Sequence, residues 1–263
     1  MNASVRLGIV GGAGWLGGAI AGAAMAAGVV HARNLTLSYR RTKPESFPGA
    51  FWTDDNQALA ERCDVILLSV RPEDWPSLAI DAGGKLVISV MAGIRLAEIA
   101  EKHGTGRVVR SLPNAAAEAA RSYTPWIASS DTSEADRAVV RAIFDACGVQ
   151  DEVASERDID YLTGLTGSGP AFPALLADAM MRDAVRFGLP PDVAQRAVNA
   201  VLTGTGRLLE LRDVSPAGTV AAFLDYRGTT AAAIETMRDA GFDDAVAKGL
   251  AAAFRKSIAM GKG

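Results

Sequence analysis

Cysteine and histidine are scarce. The chain has only Cys63, Cys147, His31 and His103. Two cysteines on separate elements make no disulfide framework and point to a reduced, cytoplasmic setting. No His, Cys, Asp or Glu spacing suggests a ligand set, so no metal is expected. Excess charge of one sign is also lacking. A net charge of −3 gives no reason to expect nucleic acid or an anionic membrane as partner. A strongly hydrophobic run is missing as well. The most apolar stretch, Leu16 to Val30, is rich in Gly and Ala and reads as a helix packed on a sheet rather than a signal peptide or membrane span. The rest is ordinary for a soluble globular protein, 49% hydrophobic and 22% charged, and 263 residues suffice for two domains.

What is present starts with a glycine-rich turn. An apolar run, Arg6–Val10, leads into Gly11, and Gly12, Gly14 and Gly17 fit G-x-G-x-x-G at the start of a helix-like segment. That layout brings backbone N–H groups and a helix N-terminus up to a pyrophosphate, which argues for a dinucleotide site. The pattern is weak alone in a chain with 27 glycines; the strand before it and the helix after it give it weight.

The first half alternates in period. Strand-like runs lie at Arg6–Val10, Leu35–Tyr39, Val65–Val70, Leu86–Val90 and Arg107–Arg110. Between them lie helix-like segments at Gly17–Ala27, Asn56–Arg62, Trp75–Ala82 and Leu96–His103. Such alternation predicts βαβ units and a parallel sheet. Further candidates are a strand at Ser122–Ser129, a helix from Ser133 to Cys147 and an edge strand at Val149–Val153. From Asp158 onward no strand is expected. Helices are predicted over Asp158–Phe187, from Pro190 to about Leu211, over Pro216–Leu224, Thr229–Ala240 and Asp243–Met260. The domains expected are therefore 1–157 and 158–263, α/β followed by all-helical. So many apolar helix faces, rich in Ala and Gly, predict burial against a partner chain.

The second strand ends in Ser38-Tyr39-Arg40-Arg41-Thr42, with no Asp or Glu to take a ribose 2′-hydroxyl. An arginine pair suits a 2′-phosphate, so NADP(H) is preferred; the alternative is a solvated basic turn. Val70-Arg71-Pro72-Glu73 leaves the carboxyl end of the next strand, where ligands of such sheets bind. Arg71 is either a cofactor contact or a surface charge. Ala92-Gly93 and Pro113-Asn114 follow the fourth and fifth strands and would face the nicotinamide end.

These segments together resemble the Δ1-pyrroline-5-carboxylate reductases. Gly12-Ala13-Gly14-Trp15-Leu16-Gly17 is similar to the family's I-G-A-G-N-M-A turn, with Gly11 as an extra residue. Val70 to Glu73 resembles V-K-P-Q, Ser89 to Ile94 resembles S-x-x-A-G-I, and Arg110 to Asn114 resembles R-x-M-P-N. The most specific likeness is Leu165 to Phe172 with L-S-G-S-G-P-A-Y. The resemblance implies a Rossmann-type dinucleotide-binding domain followed by an all-helical dimerisation domain. It implies NADP(H) contacts at Gly12, Ala13, Gly14, Trp15, Leu16, Ser38, Arg40, Arg41, Asn56, Val70, Arg71, Pro72, Ala92, Gly93 and Asn114. It further implies a homodimer that assembles into a larger ring, and the last step of proline synthesis as the reaction.

Departures cluster at the substrate end. The family's S-P-G-G-T-T appears as Asp225-Tyr226-Arg227-Gly228-Thr229-Thr230, P-N-T-P as Pro113-Asn114-Ala115-Ala116, and a Gln-Thr pair falls near Ala200-Val201. A pyrroline nitrogen is basic enough to bring its own proton, which suits a chain with no plausible catalytic histidine. The protein then orients and stabilises. Thr229 and Thr230 open a helix whose N–H groups suit a carboxylate. The resemblance implies substrate binding by Gly228, Thr229 and Thr230, with the Thr230 hydroxyl as proton donor; the alternative is that both threonines only cap the helix. Asp213 is either a partner for the ring nitrogen or an exposed loop carboxylate. Arg227 is either a contact for a second carboxylate or a solvated charge. The Ser168 hydroxyl is expected to bond helix backbone, since no base accompanies it. Competing functions are reduction of another imine, such as a six-membered cyclic imine carboxylate, and NADPH binding without turnover. A hydroxyacid dehydrogenase is disfavoured by the absence of a K-x-x-N helix pattern.

Overall fold

A computed structural model describes residues 5–211 and 214–260. The chain divides into two compact units. One joins the residues up to Ser168 with those from Ala252 onward; the other is Gly169–Ala251.

The first unit is built on an eight-stranded sheet. Its strands are β1 (Leu7–Val10), β2 (Leu35–Ser38), β3 (Phe51–Thr53), β4 (Val65–Leu68), β5 (Leu86–Ser89), β6 (Val108–Ser111), β7 (Ser122–Ala128) and β8 (Gly148–Glu152). They lie in the order β3-β2-β1-β4-β5-β6-β7-β8. The first six strands are mutually parallel, β7 runs antiparallel to β6, and β8 runs parallel to β7 at the edge. The order reverses between β1 and β4, the switch point at which doubly wound sheets take their ligands.

Four helices flank this sheet: α1 (Trp15–Ala26), α2 (Asn56–Arg62), α3 (Leu96–His103) and α4 (Glu134–Cys147). Alternate strand residues feed two cores. Leu7, Ile9 and Leu67 meet Ile20 of α1 and Phe144 of α4 on one face. Ile66, Leu68 and Val87 meet Leu59 of α2 and Ile99 of α3 on the other. Each such side chain contributes about 1.5–3 kcal/mol by leaving water. Helix starts follow the cap residues. Asp55 accepts the N–H groups of Gln57 and Ala58 at 2.8 and 3.1 Å, and Ser133 exchanges bonds with Asp136 in a capping box.

Three expectations need correction. Trp75–Ala82 is not a helix: only Trp75–Ser77 makes a 3-10 turn, with Pro76 in it. Leu78, Ile80 and Ala82 are each buried between exposed neighbours, the period of an extended chain. The short edge strand β3 has no counterpart among the expected strands; Trp52 packs against Tyr39 and Phe47 to anchor it. The helix over Asp158–Phe187 is interrupted. It forms as α5 (Glu156–Leu162), a π-type turn at Thr163–Gly167, and α6 (Ala171–Phe187). Pro170, which has no N–H to continue a helix, is the N-cap of α6.

The second unit is helical. It contains α6, α7 (Pro191–Leu211), α8 (Pro216–Asp225), α9 (Thr229–Asp239) and the first part of α10 (Phe242–Met260). Here α6 packs on α7 and α8 on α9. In the single chain α6 buries no side chain, and α7 buries only Ala194 and Val198. Leu175 is 66% exposed and Phe187 85%. Helices with this much open apolar surface require another surface to cover it.

Candidate active site

The carboxyl ends of β1 to β6 share one edge of the first unit, and the glycine turn lies there. Gly11 sits at φ +80°, and a Cβ at this position would lie 2.4 Å from the Ser69 carbonyl oxygen. Its N–H donates to the Ser38 Oγ at 2.9 Å. The Ala13 N–H donates to the Ser38 carbonyl at 3.1 Å, and the Gly14 N–H donates to the Gly11 carbonyl at 2.8 Å. Ser38 thus braces the turn from inside. Gly17 is needed for a different reason: a Cβ there would come within 2.6 Å of the Gly11 carbonyl oxygen, so its absence lets α1 start against the turn. The extra residue Gly11 therefore takes the positive-φ position, and Gly14 is the N-cap of the helix that follows.

Gly14 is the N-cap of α1 and makes no side-chain capping bond, and no acidic residue lies in the first turn. The end of α1 that carries Trp15 and Leu16 is thus open to an anion. The Trp15 indole N–H donates to Glu118, and a groove of ≈ 580 Å3 beside the turn is lined by Gly12, Ala13, Gly14, Trp15, Phe47 and Glu118 among others.

The remaining candidates follow other strands at this edge. Arg40 and Arg41 come after β2; Arg40 pairs with Asp74, and Arg41 is exposed. Asn56 opens α2 just after β3. Val70, Arg71 and Pro72 come after β4, where Arg71 pairs with Glu73 at 3.2 Å. Ala92 and Gly93 come after β5, with Gly93 at φ +83°.

Asn114, after β6, is used on both sides of its amide. Its Oδ1 accepts the Ala116 N–H at 2.9 Å, and its Nδ2 donates to the Thr166 carbonyl at 2.9 Å. Beside it, a Cβ on Gly167 would meet Leu112 at 2.7 Å. Arg110 of β6 is buried, at 1% exposed, and donates to Asp160 at 2.6 Å and Glu156 at 3.1 Å. The segments around Leu112-Pro113-Asn114 and Leu165-Thr166-Gly167 are therefore one construction. The Ser168 hydroxyl lies 3.4 Å from the Thr163 carbonyl, as a backbone-bonding serine should.

In the second unit Gly228 is the N-cap of α9, with no side-chain capping bond and no acid in the first turn. Thr229 and Thr230 are its first two residues, both exposed, and neither supplies the cap. Arg227, just before them, adopts φ +50°, a left-handed conformation where the resembling pattern carries glycine. Asp213 lies outside the described residues.

The cysteines and the buried histidine are poor reactants. Burial pushes the Cys147 thiol up to about 11 and raises Cys63 as well. Burial holds His103 below its ordinary value; its Nδ1 lies 2.9 Å from the Ile80 carbonyl. Among the described residues no group of three or more His, Cys, Asp or Glu could hold a metal ion, and no helix is long and apolar enough to cross a membrane.

Sequence reasoning did not find Asp74, Glu118, Glu156 or Asp160. They partner predicted residues from distant positions and carry no local motif. Gly11 had a local signal, since the residue ending β1 before a tight turn is where a positive φ is needed.

A doubly wound sheet with an open glycine turn at its switch point, joined to a helical unit, defines a dinucleotide-dependent oxidoreductase. Residues 6–93 match the family described as NADP oxidoreductase coenzyme F420-dependent, and residues 156–260 match pyrroline-5-carboxylate reductase dimerisation. The chain is 34% identical over 212 residues to pyrroline-5-carboxylate reductase of Synechocystis, covering 79% of each chain. It is 27% identical to that of Arabidopsis thaliana, covering 97% of this chain and 95% of the other. The chain belongs to the pyrroline-5-carboxylate reductase family. The fold agrees with the solved Coxiella burnetii member, with a TM-score of 0.87 at 23% identity over 98% of this chain and 99% of that one. It agrees likewise with the Plasmodium falciparum member solved with NADP bound, with a TM-score of 0.83 at 24% identity over 98% of each.

Proposed function

We propose that this chain reduces L-1-pyrroline-5-carboxylate to L-proline with NADPH, as a homodimer. The observation that carries the reading is the open N-terminus of α9, with Gly228 as a bare cap followed by two unengaged threonines. It lies in a chain whose first unit has a second open helix end at the glycine turn.

Bound NADPH supplies the hydride for the imine carbon. The N-terminus of α1 with Gly12, Ala13, Gly14, Trp15 and Leu16 holds its pyrophosphate. Arg40 and Arg41 hold the 2′-phosphate, with Ser38 bracing the turn between them. Asn56, Val70, Arg71, Pro72, Ala92, Gly93 and Asn114 complete that edge. The N–H groups of Thr229 and Thr230 take the substrate carboxylate, aided by the dipole of α9. The pyrroline nitrogen would enter protonated. As its C=N bond accepts hydride at carbon, the π pair would move to nitrogen and leave a neutral secondary amine. For an imine that arrives unprotonated, the Thr230 hydroxyl would be the proton donor, recharged from water. Asp213 would offset positive charge on the ring. We propose a domain boundary at 157/158, close to the start of the dimerisation-family match at residue 156, although it falls within α5 and the compact units divide at Ser168/Gly169. We also propose a ring of dimers and a cytoplasmic location.

The test is NADPH oxidation with the five-membered imine beside its six-membered homologue. The altered Asp225-Tyr226-Arg227 segment is the reason to include the second. Faster turnover of the five-membered ring is expected. Turnover of only the six-membered ring would move the substrate assignment, and tight NADPH binding with no turnover of either would refute the enzyme reading. Thr230→Ala should lower kcat while Thr230→Ser restores it; full activity in Thr230→Ala removes that residue from the site. Light scattering that gives a stable monomer refutes the dimer, and the mass of one dimer refutes the ring.

A further inference from the structure

At the amino ends of the strands, the edge opposite the glycine turn, a groove of ≈ 260 Å3 is lined by Arg6, Arg33, Asn34, Thr36 and Arg62. Three separate elements supply the guanidinium groups. Arg6 immediately precedes β1, Arg33 lies in the 3-10 turn before β2, and Arg62 ends α2. Arg6 pairs with Asp64. Among the described residues Arg33 and Arg62 have no carboxylate partner, and both are exposed.

Arg62 lies over the Phe51 ring, 3.9 Å from its centroid. Stacking on an aromatic face orients a guanidinium and leaves its edge N–H groups free to donate. One feature opposes an anion here, the negative C-terminal end of α2. That end is already answered: the Lys85 Nζ donates to the carbonyl of Cys63, the C-cap of α2, at 2.7 Å. Three guanidinium groups thus line the groove, and one of them, Arg6, is paired with Asp64. Guanidinium forks match the oxygens of a tetrahedral oxyanion in bidentate fashion.

We propose that this groove binds a phosphate-class oxyanion, separately from any phosphate held at the glycine turn. Strands β1 and β2 stand between the two places, a span of roughly 13 Å for four extended residues. Phe51 is not among the lining residues, which are mainly guanidinium, so the recognised feature is the phosphate. The ligand is free phosphate or a small phosphomonoester.

Calorimetric titration of the NADPH-saturated protein tests this, with inorganic phosphate in one arm and adenosine 5′-monophosphate in the other. Ionic strength is matched with sodium chloride throughout. Saturable binding of one anion per chain is expected, with similar affinity in both arms. Arg33→Ala/Arg62→Ala should weaken it about tenfold or more through loss of charge-assisted bonds. That double variant should keep wild-type NADPH oxidation, which separates loss of the groove from loss of the fold. Arg33→Lys/Arg62→Lys should recover part of the affinity. Much tighter binding of the nucleotide would overturn the phosphate-only recognition. Unsaturable heats in both arms, or unchanged affinity in the double alanine variant, would overturn the site.

Discussion

The Asn114 side-chain amide donates to the Thr166 carbonyl at 2.9 Å. With the same side chain's bond to the Ala116 N–H, it fastens the loop after β6 to the π-type turn at Thr163–Gly167. Asn114→Ala removes both bonds and should destabilise the protein by about 1–3 kcal/mol. Asn114→Asp keeps the acceptor for Ala116 but cannot donate to Thr166 in its ionised form, so it should also destabilise. Urea unfolding of the two variants beside the parent measures this. An unchanged midpoint in Asn114→Ala would show that the junction is held by Leu112 and Gly167 packing alone.

Arg40 and Arg41 should contribute unequally to NADPH preference. Arg40 is already engaged with Asp74, whereas Arg41 is exposed. Arg41→Ala is expected to raise KM for NADPH about tenfold, the scale of one lost charge-assisted bond, with little change for NADH. Asp74→Asn frees the Arg40 guanidinium and should lower KM for NADPH. Steady-state kinetics with both nucleotides decides it, and equal losses with NADH and NADPH in Arg41→Ala would contradict the assignment.

Arg110 and Asp160 form a buried pair, 1% and 4% exposed. Removing one partner strands a buried charge, and Asp160→Ala should cost about 3–5 kcal/mol. Arg110→Met/Asp160→Leu should recover part of that loss, because the two stranded charges go together while Arg95 and Glu156 still pair with each other at 3.7 Å. A double-mutant cycle by denaturant unfolding reads the coupling. Additive losses would mean that Glu156 alone compensates Arg110.

His103 gives stability a pH slope. Its imidazole is buried with Nε2 unpartnered, and burial holds its folded pKa below the ordinary 6.5. The unfolded chain takes up a proton near pH 6.5 while the folded chain stays neutral. Stability is therefore full above that pH and falls as the medium becomes more acid, until the lowered folded pKa is reached. His103→Gln should flatten this part of the profile. Unfolding midpoints between pH 5 and 8 test it, and an identical slope in the variant would assign the effect elsewhere.

Much of the sheet was legible because buried parallel strands are short apolar runs. Leu35-Thr36-Leu37-Ser38 and Val65-Ile66-Leu67-Leu68 need no tertiary information to be recognised. Asn56–Arg62 and Leu96–His103 form helices over the expected residues because Asp55 and Gly104 mark their ends. Trp75–Ala82 is misleading, since five apolar residues in eight fit a helix nearly as well as the alternation that the chain adopts. The break at Thr163–Gly167 was hidden by apolar spacing that continues across it into α6. Of the proposed site, the glycine turn, Arg40, Arg41 and the start of α9 stand out by local chemistry. Their partners were not, because Ser38 to Gly11, Arg40 to Asp74 and Asn114 to Thr166 are matches between distant segments.

The bare faces of the second unit carry a kinetic consequence. A seventeen-residue helix that fully buries no side chain in its own chain gains little by forming alone. With the proposed dimer, the first unit can complete its sheet as an isolated polypeptide, while the second gains its core only when two chains meet. Maturation of this protein then contains a second-order step, and its apparent melting temperature rises with protein concentration. Dilution becomes a denaturant that acts on α6 to α9 and spares the sheet.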